Sequence, residues 1–314
     1  MSGWGVLTHV DTGVTASESI AHAVESARVA ESLGYDSFWV AQHRFGHQGG
    51  AVPSPLILLA AVAQHTERIR LGTASIAASF EEPRRLLEDA AVLDVLSGGR
   101  LELGFGSGSS LQASQAWGLD HERRRDQLWA TVDAVSEGAV RGIGSDRRSA
   151  VVPSTLGLRD RMWVTTGSDD GVRAAVERKL GLIVGRRAVD GHGPRAEDSR
   201  VADLIRRYRA GAGRGARVAV SRPIIATTDP EFAQRLREWE QQSRRARKAP
   251  PSVLIGNPDE VVTALRDDPA CGLLDHILVH TRPLSLVPRA ATASLELIAE
   301  RVRQQSASLF HSGS

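Results

Sequence analysis

Hydrophobic and polar positions follow two alternating rhythms along this 314-residue chain. Short runs rich in apolar, β-branched and aromatic residues recur at 5–10 (GVLTHV), 35–41 (YDSFWVA), 68–78 (RIRLGTASIAA), 100–106 (RLELGFG), 161–167 (RMWVTTG), 180–185 (LGLIVG), 216–227 (ARVAVSRPIIAT) and 275–280 (DHILVH). Each reads as a strand. Between them lie longer stretches with apolar residues three and four apart. In 18–34 the stripe is Ile20, Ala23, Val24, Ala27, Ala30 and Leu33, closed by Gly34. In 81–99 it is Leu86, Ala90, Leu93 and Leu96, closed by Gly98-Gly99. Such spacing gathers the apolar side chains on one helix face, and glycine supplies the C-terminal stop. Further helices are expected at 53–66, 121–140, 169–179, 199–211, 229–248, 257–268 and 288–305. Those at 229–248 and 257–268 open on a polar cap and a proline, both start signals.

Strand–helix alternation over this length means parallel strands with helical crossovers. About eight strand candidates favour an α/β fold of the (β/α)8 TIM-barrel type, as a single domain over 1–314, and a barrel takes roughly 250 residues. Composition is that of an ordinary globular chain, 41% hydrophobic and 24% charged. The lone Cys271 excludes an intramolecular disulfide. There is no signal-peptide pattern at the N-terminus and no apolar run long enough for a membrane span, so a cytoplasmic location and no membrane partner are expected. Net charge is +2 although the pI is 9.1. The basic clusters at 122–127 and 243–251 read as solvated helix ends and loops, without the concentrated face and stacking aromatics of a nucleic-acid footprint.

Candidate chemistry falls at strand ends, where a (β/α)8 barrel places its active site. Gln42-His43-Arg44 follows the strand at 35–41, which makes His43 a candidate proton-transfer group. The GFGSGSS run, 104–110, looks like a dinucleotide fingerprint, but SSLQASQAWGLDHE after it shows no helical stripe, so the match is weak. Its glycines and serines still suit a backbone amide nest for a phosphate. Gly167-Ser168 opens a helix after a strand, a second anion-suited turn, with Asp169 and Asp170 opposing it slightly. No metal site is expected. His276 and His280 lie about 13 Å apart on one strand, and no Asp, Glu or Cys completes a set with His43 and His47.

The runs DSFWVAQHRFG and HTERIRLGTASIAASFEEPRRLLEDAAVLDVLSGGRLELGFGSG resemble the bacterial luciferase-like monooxygenases. MWVTTGSDDGVRAAVERKLGL, VLIGNPDEVVTALR and DHILVH resemble later segments of that family in the same order, so the resemblance covers about residues 4 to 303. It implies a flavin-dependent barrel that binds reduced FMN, or the related deazaflavin coenzyme, and acts on a small organic substrate. It also implies a homodimer through the helices at 53–66 and 81–97, or exchange of flavin with a separate reductase. His43 matches the first histidine of a family Glu-His-His triplet, the acid/base group beside the flavin, and Arg44 follows it as a new positive charge. Thr73, Ala74 and Ser75 match the strand end under the flavin ring, where the family often has a non-proline cis peptide. Gly106, Ser107 and Gly108 match the phosphate loop, and Gly167 and Ser168 the turn that closes on the phosphate from the other side.

Two departures follow. Gln42 replaces a glutamate that would have raised the pKa of His43 by its charge. Ser107 stands where members usually carry arginine, which removes a bidentate charge pair from the phosphate. Three readings therefore stand: a monooxygenase using reduced FMN and dioxygen; a deazaflavin-dependent dehydrogenase, with ERRRDQ (122–127) as a basic groove for the longer tail; and a catalytically weakened partner subunit.

Overall fold

The structure, a computed structural model, describes residues 3–11, 15–46, 50–141, 151–155, 157–185, 194–247, 253–282 and 287–306. The strands are β1 (Gly3–Thr8), β2 (Ser37–Val40), β3 (Arg70–Thr73), β4 (Ile76–Ala77), β5 (Leu101–Gly106), β6 (Met162–Thr166), β7 (Gly181–Val184), β8 (Val218–Ala226), β9 (Leu254–Gly256) and β10 (His276–His280). The order along the sheet is β10-β1-β2-β3-β5-β6-β7-β8, and β10 pairs in turn with β8. The order thus returns on itself, as an eight-stranded parallel (β/α)8 barrel. Those eight are the runs that alternation marks. β4 and β9 are additions of two and three residues that pair with β5 and β8.

The helices are α1 (Ala16–Ser32), α2 (Pro55–Ala63), α3 (Pro83–Leu96), α4 (Leu111–Ala116), α5 (Arg124–Arg141), α6 (Asp169–Glu177), α7 (Pro194–Ala212), α8 (Pro230–Arg247), α9 (Pro258–Asp267) and α10 (Pro288–Leu297). Their ends follow from local chemistry. Gly34, Gly98 and Gly99 take positive φ after α1 and α3, which a side chain would resist. Asn257 and Glu260 form a reciprocal capping box at the start of α9. Three expectations are corrected. A six-residue helix, α4, does open directly after the GFGSGSS run, with Ser110 accepting from the Ala113 N–H. It is too short to show a stripe. Ile20 and Leu96 are exposed. The buried faces of α1 and α3 are centred instead on Ser19, Ala23, Ala27 and Ala30, and on Leu86, Leu87, Ala90, Ala91 and Leu93. The helix expected at 288–305 is α10, a π turn, Ile298–Val302, and a last α-helical turn, Arg303–Ser306.

The chain divides into two compact units: an N-terminal unit of Leu7–Glu31 and Ser37–Thr165, and a C-terminal unit of Met1–Val6, Ser32–Asp36 and Thr166–Ser314. In the N-terminal unit Trp39 packs edge-on to Trp163 and its indole covers Gly72, where a Cβ would come within 2.2 Å of the ring. The buried Glu102 carboxylate accepts from Trp163 Nε1 and Arg70 Nε, each at 2.5 Å, so its charge is paired and hydrogen-bonded. Arg100 donates to the carbonyls of Ala63, Thr66, Ile69 and Ser97, satisfying the C-terminal end of α2 and the turn after α3. In the C-terminal unit Arg222 on β8 is fully buried and paired to Asp268 at 2.5 Å. Tyr35 donates its hydroxyl to Leu295 O at 2.9 Å, and burial raises its pKa. No helix among the described residues is long and apolar enough to cross a membrane.

Candidate active site

β1 and β2 end on His9 and on Gln42-His43-Arg44, and the chain after each end is pinned by the same short segment. Ala51 N–H donates to Val10 O at 2.8 Å, and His43 N–H donates to Val52 O at 2.9 Å. Val10 and Phe45 both take positive φ, +51° and +55°. For a β-branched valine this is a strained conformation, of the kind that concentrates at functional sites. Gly50 leaves room for the His43 ring, since a Cβ there would come within 2.2 Å of it. Within that frame His9 Nδ1 and His43 Nε2 lie 2.9 Å apart, with the rings stacked at 5.2 Å and 30°.

The flanks of His43 explain why its neighbours are Gln and Arg. Gln42 accepts from Ala77 N–H at 2.6 Å and donates to Pro53 O at 2.7 Å and Glu81 Oε1 at 2.9 Å. Only an amide both accepts and donates in this way; a glutamate at 42 would face the Glu81 carboxylate with like charge. Arg44 pairs with the same Glu81 oxygen at 2.9 Å and lies over the rings of Phe80 and Trp117, at 5.1 and 4.8 Å. The guanidinium is therefore held by a carboxylate and two aromatic faces. Glu81 thus ties both neighbours of His43 down, a role that sequence inspection missed.

The β3 end and the β5 loop belong to the same unit. Thr73 is fully buried, and its hydroxyl donates to Gly104 O at 2.9 Å and accepts from Gly104 N–H at 2.8 Å. That hydroxyl is spent on the β3–β5 junction. The Ala74–Ser75 peptide is cis, and Ala74 N–H donates to Val40 O. A Cβ on Gly106 would come within 2.2 Å of Ser75 Oγ. Gly108 has φ +72°, and a Cβ there would come within 2.8 Å of Phe80. Both glycines are needed for this close approach of loop and cis turn. Ser107 O accepts from Ser79 Oγ at 3.0 Å. Residues 104–110 supply no cation, so an anion here would have to be held by backbone groups.

In the C-terminal unit Ser168 caps α6, accepting from Gly171 N–H at 3.2 Å. Asp169 and Asp170 are each ion-paired, to Arg207 and Arg173, which offsets their opposition to an anion at this turn. Arg200 Nη1 donates to Gly167 O at 2.6 Å, so a guanidinium reaches a turn where the sequence suggested only backbone donors. His280 and Arg282 follow at the end of β10. Burial lowers the pKa of His280 to about 4 and that of Arg282 to about 10, favouring a neutral imidazole. His47 lies outside the described residues. No group of three potential metal ligands occurs among the described residues.

A luciferase-like monooxygenase family model matches residues 1–267: the chain belongs to that family. The chain spans about half the length, or less, of the first relatives it matches. It is 40% identical over 91 residues to the F420-dependent glucose-6-phosphate dehydrogenase of Amycolatopsis mediterranei, covering 28% of this chain and 27% of that one. Among solved structures it is similar to the monooxygenase RslO1 of Streptomyces bottropensis, with a TM-score of 0.79, 23% identity, and 96% and 99% of the two chains covered. It is also similar to the oxygenating constituent of 3,6-diketocamphane monooxygenase from the CAM plasmid of Pseudomonas putida, in complex with FMN. That match has a TM-score of 0.77, 19% identity, and 97% and 98% coverage. At these identities the two structures speak to the fold.

Proposed function

We propose that the protein is a flavin-dependent monooxygenase that uses reduced FMN and dioxygen on a small organic substrate. The observation that carries this reading is the N-terminal unit's set of strand ends: an imidazole held at fixed orientation beside a glycine cradle and a cis turn, in a chain of this family. Reduced flavin, when bound, supplies the electrons that activate dioxygen. His43 gives or takes the proton that the reaction requires. Gln42, Arg44 and Glu81 fix its backbone, while Phe80 and Trp117 shield the Arg44–Glu81 pair from water. Within the N-terminal unit Gly106–Gly108 offers backbone donors to the phosphate end; the Gly167–Ser168 turn with Arg200 is a separate anion-suited turn of the C-terminal unit.

A second reading, hydride transfer with the deazaflavin coenzyme, draws on the F420-dependent relative. Titration of the purified protein with FMN, reduced FMN and the deazaflavin, followed by absorbance and fluorescence, separates the two. Binding of reduced FMN with uptake of dioxygen supports the first; binding of the deazaflavin alone overturns it in favour of the second.

The assembly proposed is a homodimer through α2 and α3, in the cytoplasm. Ile57 is 73% exposed and Val95 60%, with Val92 and Leu96 also open to solvent, a concentration of apolar surface that marks an interface. A monomer by light scattering at micromolar concentration would count against it.

A further inference from the structure

We propose that His9 and His43 form a two-imidazole proton relay, in which His9 is the positioning residue that sets the tautomer of His43 and carries its proton away. It rests on the reading of His43 as the proton-transfer group, and it adds a residue that this reading does not contain. Both histidines belong to the N-terminal unit. The contact joins Nδ1 of His9 to Nε2 of His43 at 2.9 Å, within the range of an N–H···N hydrogen bond. Each neutral imidazole carries one N–H and one bare nitrogen. If His9 Nδ1 donates, His43 Nε2 is bare and His43 is protonated at Nδ1. If His43 Nε2 donates, His9 Nδ1 is bare and His9 is protonated at Nε2. In both arrangements the two rings are the same tautomer.

That constraint makes the pair a conductor. Starting from two Nε2–H rings, a proton taken up at His43 Nδ1 moves the shared proton to His9 Nδ1. His9 then releases the proton from its own Nε2, and both rings end as Nδ1–H tautomers. One proton enters, one leaves, and no charge accumulates. The pair also holds one positive charge readily, because the shared proton is then a charge-assisted bond. A second charge is opposed by the first.

The described surroundings of the pair carry both signs of charge. On the segments that carry or face it, the charged residues among those described are Asp11, Arg44, Glu81 and Glu82. Arg44 and Glu81 neutralise each other at 2.9 Å. The segment Gly50–Ser54 and the turn Ala74–Ala77 contain no titratable side chain. The rings are held in place by the strained Val10 and by Gly50, whose missing Cβ gives the His43 ring its space.

Nitrogen NMR of the flavin-free protein, labelled at histidine, tests this directly. The expected result is an equal Nδ1–H fraction on the two rings and titration in two steps more than about one pH unit apart. In His9→Gln, His43 should titrate in a single step with a changed tautomer ratio, and His43→Gln should do the same for His9. Unequal tautomer fractions, independent single-site curves in the parent protein, or an unchanged His43 curve in His9→Gln would overturn the relay. Circular dichroism checks that each variant folds, and the parent measurement needs no variant. Because flavin is absent, failure of the relay leaves the flavin reading standing. A failed flavin titration likewise leaves the NMR result intact.

Discussion

The strand ends of the N-terminal unit present two imidazoles in contact, whereas a turn of the C-terminal unit presents a guanidinium. At β1 and β2 the groups on display are two imidazoles, and the guanidinium of Arg44 is consumed by Glu81 and two aromatic faces. After β6 a guanidinium, Arg200, meets a capped helix start whose two acids are already paired. The glycine cradle after β5 has the backbone freedom of an anion site and no cation of its own. The difference teaches that the candidate proton-transfer and anion-binding side chains sit on different segments of the chain. It also predicts that the two properties can be damaged separately.

The largest separation is expected from His43→Ala. If His43 is the acid/base group, its loss should cut turnover by about two to four orders of magnitude, while flavin affinity should change little. Steady-state kinetics with a verified substrate, beside a flavin titration, reads both. Unchanged turnover would remove His43 from the chemistry and dissolve the contrast between the regions.

Arg200→Ala should do the reverse. If Arg200 holds the phosphate end of FMN, its loss should weaken binding about tenfold to hundredfold, the usual worth of a hydrogen bond to a charged group at about 1.5–3 kcal/mol. The histidine pair should keep its NMR signature. Unaltered FMN affinity in this variant would mean that the C-terminal unit's charge serves another ligand.

Much of the fold was legible in the sequence, and what was missed has a physical pattern. The eight barrel strands were visible because each is a run of about six apolar or β-branched residues between glycine, proline and polar stops. β4 and β9 were not, since two- and three-residue strands exist only through their partners, β5 and β8. The glycine stops after α1 and α3 were correct, but Ile20 and Leu96 were assigned to the wrong face. An alanine-rich stripe can be rotated by one residue without changing its count of apolar positions. His43 was singled out by its place after a strand, and the same rule applied to β1 would have singled out His9, which His43 contacts. Glu81 and Arg200 carried no such signal. Glu81 lies 39 residues from Gln42 and Arg200 lies 33 from Gly167, so their roles arise only when the chain folds.

Ser107→Arg sharpens the comparison by moving charge into the cradle that lacks it. Gly106 and Gly108 already turn the backbone toward the cis turn. A guanidinium between them should tighten FMN by roughly 1.5–3 kcal/mol. The parent protein should then bind FMN in the micromolar range or weaker, about 8 kcal/mol or less, and purify largely colourless. Unchanged or abolished binding in Ser107→Arg would show that the cradle serves a different ligand from FMN.

The smallest effect is expected at the opposite end of the strands, where Glu31 separates stability from function within one unit. Its carboxylate accepts from the backbone N–H groups of Glu67, Arg68 and Ile69, which lead into β3, at 2.6 to 3.2 Å. Burial pushes its pKa up, but those three donors and the Arg68 charge outweigh burial and hold it below the ordinary value of 4.5. The folded state therefore releases this proton more readily than the unfolded chain. The stabilisation is fully present above about pH 4.5 and is lost as pH falls through the depressed folded value. Glu31→Gln keeps one acceptor and loses the charge, so it should cost on the order of 1 kcal/mol at neutral pH, after allowance for its partial exposure. That cost should shrink in acid, as the parent loses the same contribution. Urea unfolding at pH 7 and at pH 3 measures it. The N-terminal end of a barrel strand serves stability and the C-terminal end chemistry, so FMN affinity and the histidine tautomers should not move; if they do, the two ends of this unit are coupled through β3.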